Sequence, residues 1–302
     1  MNKARAIISS LRLRTLPLSL SGIILGSMLA IADYAAKPLT VVMLALTAVC
    51  MQILSNLSNE LGDTLKGTDA AREGGPMYGL NEGILSIRDM KWLIGVFVVL
   101  SLVSTIILIQ SAFGSLWGFE GICFLMLGVA AVTAAMRYTL GPSPYGYRAL
   151  GDIYVFIFFG LVTVLGSFFL IAGEIPSWIL VLPAAAIGFF SVGVLNVNNI
   201  RDAKSDALTR RTVAILLGDK WSRVYQTALI AAGWLCALAY CAFRFFDPWH
   251  FLFAVTLPLY IIHLRGVWKL KDKDLDPMLP ILVMGTFAFA ILMGLGYIMF
   301  LL

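Results

Sequence analysis

The sequence predicts an all-α, polytopic membrane protein of about nine transmembrane helices, and three observations carry that expectation. Hydrophobic residues make up 60% of the 302 positions and charged residues only 13%, whereas ordinary soluble domains carry roughly 25% charged residues. Apolar runs of about 18 to 20 residues recur along the chain, each long enough to cross a bilayer as a helix. Lys and Arg gather in alternate loops between those runs, as they do in proteins oriented by the positive-inside rule.

Taken in order, the first span is expected at Leu16–Ile31. It contains Pro17 and is followed by no small-residue cleavage pattern, so it reads as a span and not as a removable signal. The second, Leu39–Leu57, stays apolar until Gln52 and Asn56 near its end. The third, Trp92–Ala112, carries no charge, and the fourth, Gly118–Met136, carries only Glu120. The fifth, Ile153–Ala172, is aromatic-rich, with Phe156, Phe158 and Phe159. The sixth and seventh, Trp178–Val197 and Val224–Phe243, are uncharged; the eighth, His250–Leu264, is the shortest; the ninth is Leu279–Leu302. The whole of residues 1–302 is read as a single transmembrane domain.

An odd number of crossings puts the termini on opposite sides. Only Lys37 and Arg244 fall in one set of loops, which leaves 20 of the 22 basic residues in the other. The expectation is a cytoplasmic amino terminus and an external carboxyl terminus in the inner, cytoplasmic membrane. The net charge of +5 is thereby a topology signal, and no nucleic-acid-binding motif accompanies it. Cys50, Cys123, Cys236 and Cys241 lie in apolar stretches without paired spacing, which points to buried side chains and to neither disulfide nor zinc.

Chemistry concentrates in two long loops on the basic side. If the second span continues as a helix, Asn56, Asn59 and Asp63 fall at i, i+3 and i+7 and form one stripe. After the sixth span Asn199, Asp202 and Asp206 repeat that spacing, next to Asn198. Carboxylates at helix ends suit a hard cation such as Mg²⁺, which is commonly held by one or two carboxylates together with substrate phosphates. A diphosphate is the matching partner, and Lys66, Arg201, Lys204, Arg210 and Arg211 lie close by in sequence to neutralise it. A third segment, RYTLGPSPYGYRALGD at Arg137–Asp152, reads either as an ordinary turn ending in an N-capping Asp152 or as a further piece of the site. Ionisable residues clustered at one face, and not at the bilayer midplane, count against a transporter.

Three segments resemble the UbiA superfamily of intramembrane prenyltransferases: QILSNLSNELGDTLKGTD at Gln52–Asp69, YTLGPSPYGYRALGDIYVFIFFGLVTVLGS at Tyr138–Ser167, and NNIRDAKSDALTRRTVAILLG at Asn198–Gly218. The order and spacing match over most of the chain, with the likeness strongest to the branch that acts on 1,4-dihydroxy-2-naphthoate. The resemblance implies a ring of nine helices around a central cavity that opens to lipid. It implies transfer of a polyprenyl group from polyprenyl diphosphate to dihydroxynaphthoate with loss of CO₂, giving demethylmenaquinone for menaquinone synthesis. A 4-hydroxybenzoate acceptor is the alternative within the family, and a membrane transporter the alternative outside enzymology.

By the same resemblance Mg²⁺ is held by Asn59, Glu60, Asp63, Asp202 and Asp206, with Asp63, Asp202 and Asp206 catalytic. Glu60 stands where members commonly have Asp, so Asp63 is the stronger ligand expectation. Asp69 is expected to serve in place of the further Asp that distant members carry where this chain has Gly67. Substrate binding falls to Asn56, Asn59, Lys66, Asp69, Asn198, Asn199, Arg201 and Arg211. Tyr138, Tyr147 and Asp152 are expected to handle the aromatic acceptor, while Phe156, Phe158 and Phe159 are read as lipid-facing or packing side chains.

The topology is tested by cysteine labelling of loop positions in intact cells. Single cysteines at Lys66 and Lys204 should be shielded from impermeant reagents added outside, and labelling of either contradicts the orientation.

Overall fold

The computed structural model describes residues 2–68 and 78–299. Asp69 and the last residues of the ninth span lie outside that set. Among the described residues there are nine helices long and apolar enough to cross a membrane, and the protein is a multi-pass membrane protein. A helix satisfies its backbone hydrogen bonds within the segment, which is what hydrocarbon demands.

A short helix that hydropathy does not reveal comes first. Helix α1, Lys3–Leu11, is capped by the Asn2 side chain and buries Ala6 and Ser10. Helix α2 spans Leu16–Ile31 and α3 spans Pro38–Leu65; each has proline in its first turn, where no backbone donor is needed. Helix α4, Ile87–Phe113, starts with a reciprocal capping box of Ser86 and Asp89 and ends at Gly114, whose φ of 74° stops the helix in the left-handed region. Helix α5 is Phe119–Arg137. Helix α6, Gly151–Ala172, includes a π-helical stretch at Phe156–Val162.

Helix α7, Trp178–Arg201, is followed by a single turn at Ala203–Asp206. Helix α8, Val213–Phe243, breaks at Gly218 (φ 75°, ψ 172°), so its membrane-crossing part begins beyond that glycine. Helix α9 is Pro248–Lys269 and α10 is Met278–Ile298. Helices α3 and α7 run past the expected ends at Leu57 and Val197 by two turns and one turn. Hydropathy marks the thickness of the membrane, whereas the helix itself continues as far as its residues tolerate.

Two packing centres divide the bundle. One gathers Leu25 and Leu29 of α2, Phe168 of α6, Phe190 of α7, Tyr260 of α9 and Phe289 of α10. The other gathers Leu54, Leu57 and Leu61 of α3 with Met90, Leu93 and Ile94 of α4. Between them α2 packs closely on α6, because a Cβ placed on Gly22 or Gly26 would fall within 2.2 Å of Thr163, Ser167 or Val164 atoms. Close backbone approach through small residues is the usual way membrane helices gain packing contacts. Helices α6 and α7 cross the same way, where a Cβ on Gly160 would sit 2.6 Å from the Gly188 Cα.

Backbone, not a flexible side chain, occupies the space at that last crossing. Gly160→Leu is therefore expected to destabilise the protein by about 1–3 kcal/mol through overpacking, read as a lower unfolding midpoint in detergent. An unchanged midpoint would mean that the two helices are free to separate there.

Candidate active site

Helical continuation of α3 beyond the apolar run places Asn59 and Asp63 one turn apart on the same face. The side chain of Asn59 accepts a 3.3 Å hydrogen bond from Thr139 and lines a cavity of about 340 Å³. Asp63 is buried and accepts a 2.6 Å hydrogen bond from the Tyr147 phenol, which also lies 3.0 Å from the Thr68 hydroxyl. The Tyr147 ring is flanked by two cations, with Lys66 Nζ 4.4 Å and the Arg210 guanidinium 5.8 Å from its centroid.

Arg210 connects this group to the second stripe. Its guanidinium lies 2.5 Å from Asp206, with side chains 7% and 0% exposed. Burial alone would lower the Arg210 pKa, but the charges of Asp206 and Asp63 more than offset it and hold the group firmly cationic. Burial pushes the Tyr147 phenol well above its ordinary value, and the charge of Asp63 adds to the rise. Lys66 is lowered by partial burial, opposed by Asp63. Tyr138 is raised by burial to about 12, with Arg210, Asp63, Asp152 and Asp206 all acting on it. The Tyr147 hydroxyl on Asp63, with the Arg210–Asp206 pair beside the Tyr147 ring, brings the two acidic stripes together.

Backbone pairing fixes the loops that make this possible. Arg211 donates its N–H to the Tyr147 carbonyl at 3.1 Å, and Ala149 donates to the Arg211 carbonyl at 3.0 Å. That pairing turns Arg210 inward toward Tyr147 and leaves the Arg211 side chain exposed.

Below the charged group the cavity continues between the two packing centres. Tyr138 meets Tyr145 edge-on at 5.3 Å, Tyr145 stacks on Tyr154 at 3.8 Å, and Tyr154 lies 6.3 Å from Phe158, so aromatic rings descend one wall. Gln52, Ser55 and Asn59 supply polar groups near the mouth, and Ile23, Leu44, Leu108 and Leu170 close the far end. Phe158 and Phe159 line the cavity, where lipid-facing or packing positions were expected, while Phe156 packs on Phe189 at 4.9 Å as expected.

The remaining expected residues divide. Asp202 and Asn198 sit near the end of α7, both held by Arg201, which also reaches Asp276 at 2.6 Å. Asn199 is buried on the same helix. Asp152 accepts a 3.1 Å hydrogen bond from Tyr225 of α8, and its neighbour Gly151 lies against the Tyr138 hydroxyl, 3.2 Å from where a Cβ would stand. Four expectations move away from the site, among them Arg211, whose side chain is exposed. Glu60 is buried on the other side of α3, where its Oε1 accepts from the Leu80 N–H at 2.8 Å and the Ser10 hydroxyl at 3.2 Å, tying α1 and the following loop to α3. Asn56 donates to the Leu11 carbonyl at 2.8 Å and to the Thr15 hydroxyl at 3.0 Å, anchoring the end of α1 and the residue before α2. Lys204 is exposed and pairs with Asp272. Arg210 and the Tyr145–Tyr154 ladder are the residues that sequence reasoning undervalued; the i, i+4 step from Asp206 to Arg210 and from Tyr154 to Phe158 was the available signal.

The profile of the UbiA prenyltransferase family matches residues 19–279. A 1,4-dihydroxy-2-naphthoate octaprenyltransferase of Escherichia coli (strain K12) is 37% identical over 98% of this chain and 96% of its own length. The enzyme of the same description from Haemophilus influenzae is 37% identical over 94% of this chain and 93% of its own. Among solved structures, the apo UbiA homolog from Aeropyrum pernix K1 superposes with a TM-score of 0.67 at 18% identity, covering 100% of both chains. The UbiA homolog from Archaeoglobus fulgidus bound to DMAPP and Mg²⁺ has a TM-score of 0.64 at 17% identity, covering 95% of this chain and 98% of its own.

The geometry separates two neighbouring arginines and moves one tyrosine. Arg211→Ala is expected to keep activity within about twofold, because exposed charges contribute little. Tyr147→Phe removes the hydroxyl that holds Asp63 and should raise the KM for the diphosphate donor by roughly tenfold, the scale of a hydrogen bond to a charged group, with the acceptor KM unchanged. Steady-state kinetics with each substrate varied in turn checks both, and a Tyr147→Phe effect confined to the acceptor contradicts the placement.

Proposed function

The chain belongs to the UbiA prenyltransferase family, and on that premise we propose that it transfers a polyprenyl group from polyprenyl diphosphate to a ring carbon of 1,4-dihydroxy-2-naphthoate, with decarboxylation, in menaquinone synthesis. The observation that carries this reading is the joining of the two acidic stripes, through Tyr147 and Arg210, at the mouth of an apolar cavity with an aromatic wall. The charged end suits a diphosphate and the dry end an isoprenoid. Relatives at 37% identity that carry this description support the choice of acceptor. Residues 1–302 act as one unit, in the cytoplasmic membrane, with the site facing the cytoplasm.

The donor atoms at the site fit a hard divalent cation. They are carboxylate oxygens of Asp63 and Asp206 and the amide oxygen of Asn59, with the Asp202 carboxylate one helical turn before Asp206. Mg²⁺ is commonly held by one or two carboxylates and completes its shell with substrate phosphates, a pattern that this donor set can supply. When bound, Mg²⁺ neutralises charge on the leaving diphosphate.

Lys66 and Arg210 meet the diphosphate charge that remains, since both already flank Tyr147 beside Asp63. The allylic C–O bond breaks with its electron pair going to the diphosphate. The resulting cation lies against the rings of Tyr145, Tyr154 and Phe158, whose faces stabilise positive charge. Apolar walls exclude the water that would quench it. Tyr138 and Asp152 orient the dihydroxynaphthoate so that its ring carbon attacks the allylic carbon. The carboxylate then leaves as CO₂, and its bonding pair restores the aromatic ring. No electrons are exchanged with a cofactor, so the immediate product is the hydroquinone form of demethylmenaquinone.

Incubating purified protein with dihydroxynaphthoate, a prenyl diphosphate and Mg²⁺ should yield the prenylated, decarboxylated product by mass analysis of the lipid extract. Asp63→Asn, Asp202→Asn and Asp206→Asn should each lower the rate by at least about 100-fold, on the scale of losing an electrostatic group in the transition state. Undiminished turnover in EDTA, or wild-type activity in Asp206→Asn, contradicts the assignment.

A further inference from the structure

Asp206 is fully buried, and its carboxylate lies against a guanidinium that is itself 7% exposed. Asp63, on α3, is linked to the same guanidinium through Tyr147, whose hydroxyl donates to Asp63 at 2.6 Å and whose ring centroid lies 5.8 Å from that guanidinium. A buried carboxylate deprived of its partner is strongly destabilising, and two carboxylates facing one site repel unless a cation stands between them. Here the chain itself supplies such a cation in Arg210.

We infer that Arg210 is a tethered stand-in for the metal: paired with Asp206 and set beside the Tyr147 ring that holds Asp63, it links the two acidic motifs, and it must release Asp206 when metal and diphosphate enter together. The inference rests on the proposed function. Arg210 is placed for such an exchange. It is carried on the segment next to the Tyr147–Arg211 backbone pairing, so the loop holds its Cα and an exchange of partners needs only rotation of the long side chain. It is also close enough to the Tyr147 ring, at 5.8 Å, to follow the phenol that holds Asp63.

The consequence is a binding order. A divalent cation alone would have to displace a guanidinium that stays in the same buried space, so two positive groups would crowd together. A diphosphate removes that conflict, because its oxygens accept both the metal and the displaced fork of Arg210. Metal and donor therefore bind cooperatively, and metal alone binds weakly. The arrangement keeps the two motifs assembled between turnovers without a resident ion.

Thermal unfolding of the purified full-length protein tests this without turnover, since a ligand that binds only the folded state raises Tm. For wild type, Mg²⁺ alone should leave Tm unchanged, while Mg²⁺ with inorganic pyrophosphate should raise it by about 3 °C or more. For Arg210→Gln, Mg²⁺ alone should become stabilising, and direct Mn²⁺ binding should tighten about tenfold over wild type, with Arg210→Lys close to wild type. A full Tm rise of wild type with Mg²⁺ alone overturns the stand-in role and leaves the proposed function intact. So does an Arg210→Gln protein that binds Mn²⁺ no tighter than wild type. Absence of any stabilisation by Mg²⁺ with pyrophosphate overturns both, and the wild-type measurement decides even if the variant fails to fold.

Discussion

Charge taken out of water must be paired, and the rest of this structure depends on how that requirement is met between Asp63 and Asp206. The two carboxylates arise from segments more than a hundred residues apart in sequence. They are joined through the Tyr147 hydroxyl, the Tyr147 ring and the Arg210 guanidinium. Each link is bound to a different part of the chain: Asp63 to α3, Tyr147 to the loop before α6, Arg210 to the loop before α8. Any one of these elements displaced would leave a buried charge without its partner, at a cost of several kcal/mol. The charged cluster thereby fixes how the helix ends assemble, while apolar packing alone fixes the bundle below.

That division also explains the shape of the site. Helices α3 and α7 bring carboxylates to the site only because they and the turn after α7 continue beyond the apolar runs, so the acidic groups stand at the mouth and not inside the hydrocarbon. The cavity beneath exists because the two packing centres are separate, one built on α3 and α4 and the other on α2, α6, α7, α9 and α10. Close crossings at Gly22, Gly26 and Gly160 pull α6 against α2 and α7. The π-helical stretch at Phe156–Val162 then shifts the register of α6, and the cavity-lining residues Tyr154, Phe158 and Phe159 lie at or beside it. Such irregular turns occur often at functional positions.

Much of this was legible in the sequence, for identifiable reasons. Long uncharged runs announce membrane spans whatever their neighbours do, and the i, i+3, i+7 spacing of Asn56, Asn59 and Asp63 announces a helical stripe. Such spacing does not say which members of a stripe turn toward a partner. Asn56 and Asn59 differ by three positions, about 300° around the helix at 3.6 residues per turn, and Asn56 is drawn to the Leu11 carbonyl while Asn59 faces the cavity. Glu60 carries the right chemistry but lies next to Asn59 on another face, where α1 claims it; α1 is too short and too polar for hydropathy to reveal. Arg210 and Arg211 are indistinguishable by type, and only a pairing between loops distant in sequence decides which one turns inward.

Coupling across that pairing is the most direct measure of whether the two motifs form one site. A double-mutant cycle of Tyr147→Phe and Arg210→Gln, read on unfolding free energy in detergent, isolates the link between the α3 side and the α7 side. The structure predicts an interaction energy of about 0.5–3 kcal/mol, the range found for residues in one polar network. Additive effects, with no interaction energy beyond error, would contradict the claim that Asp63 and Asp206 are held together through these two side chains.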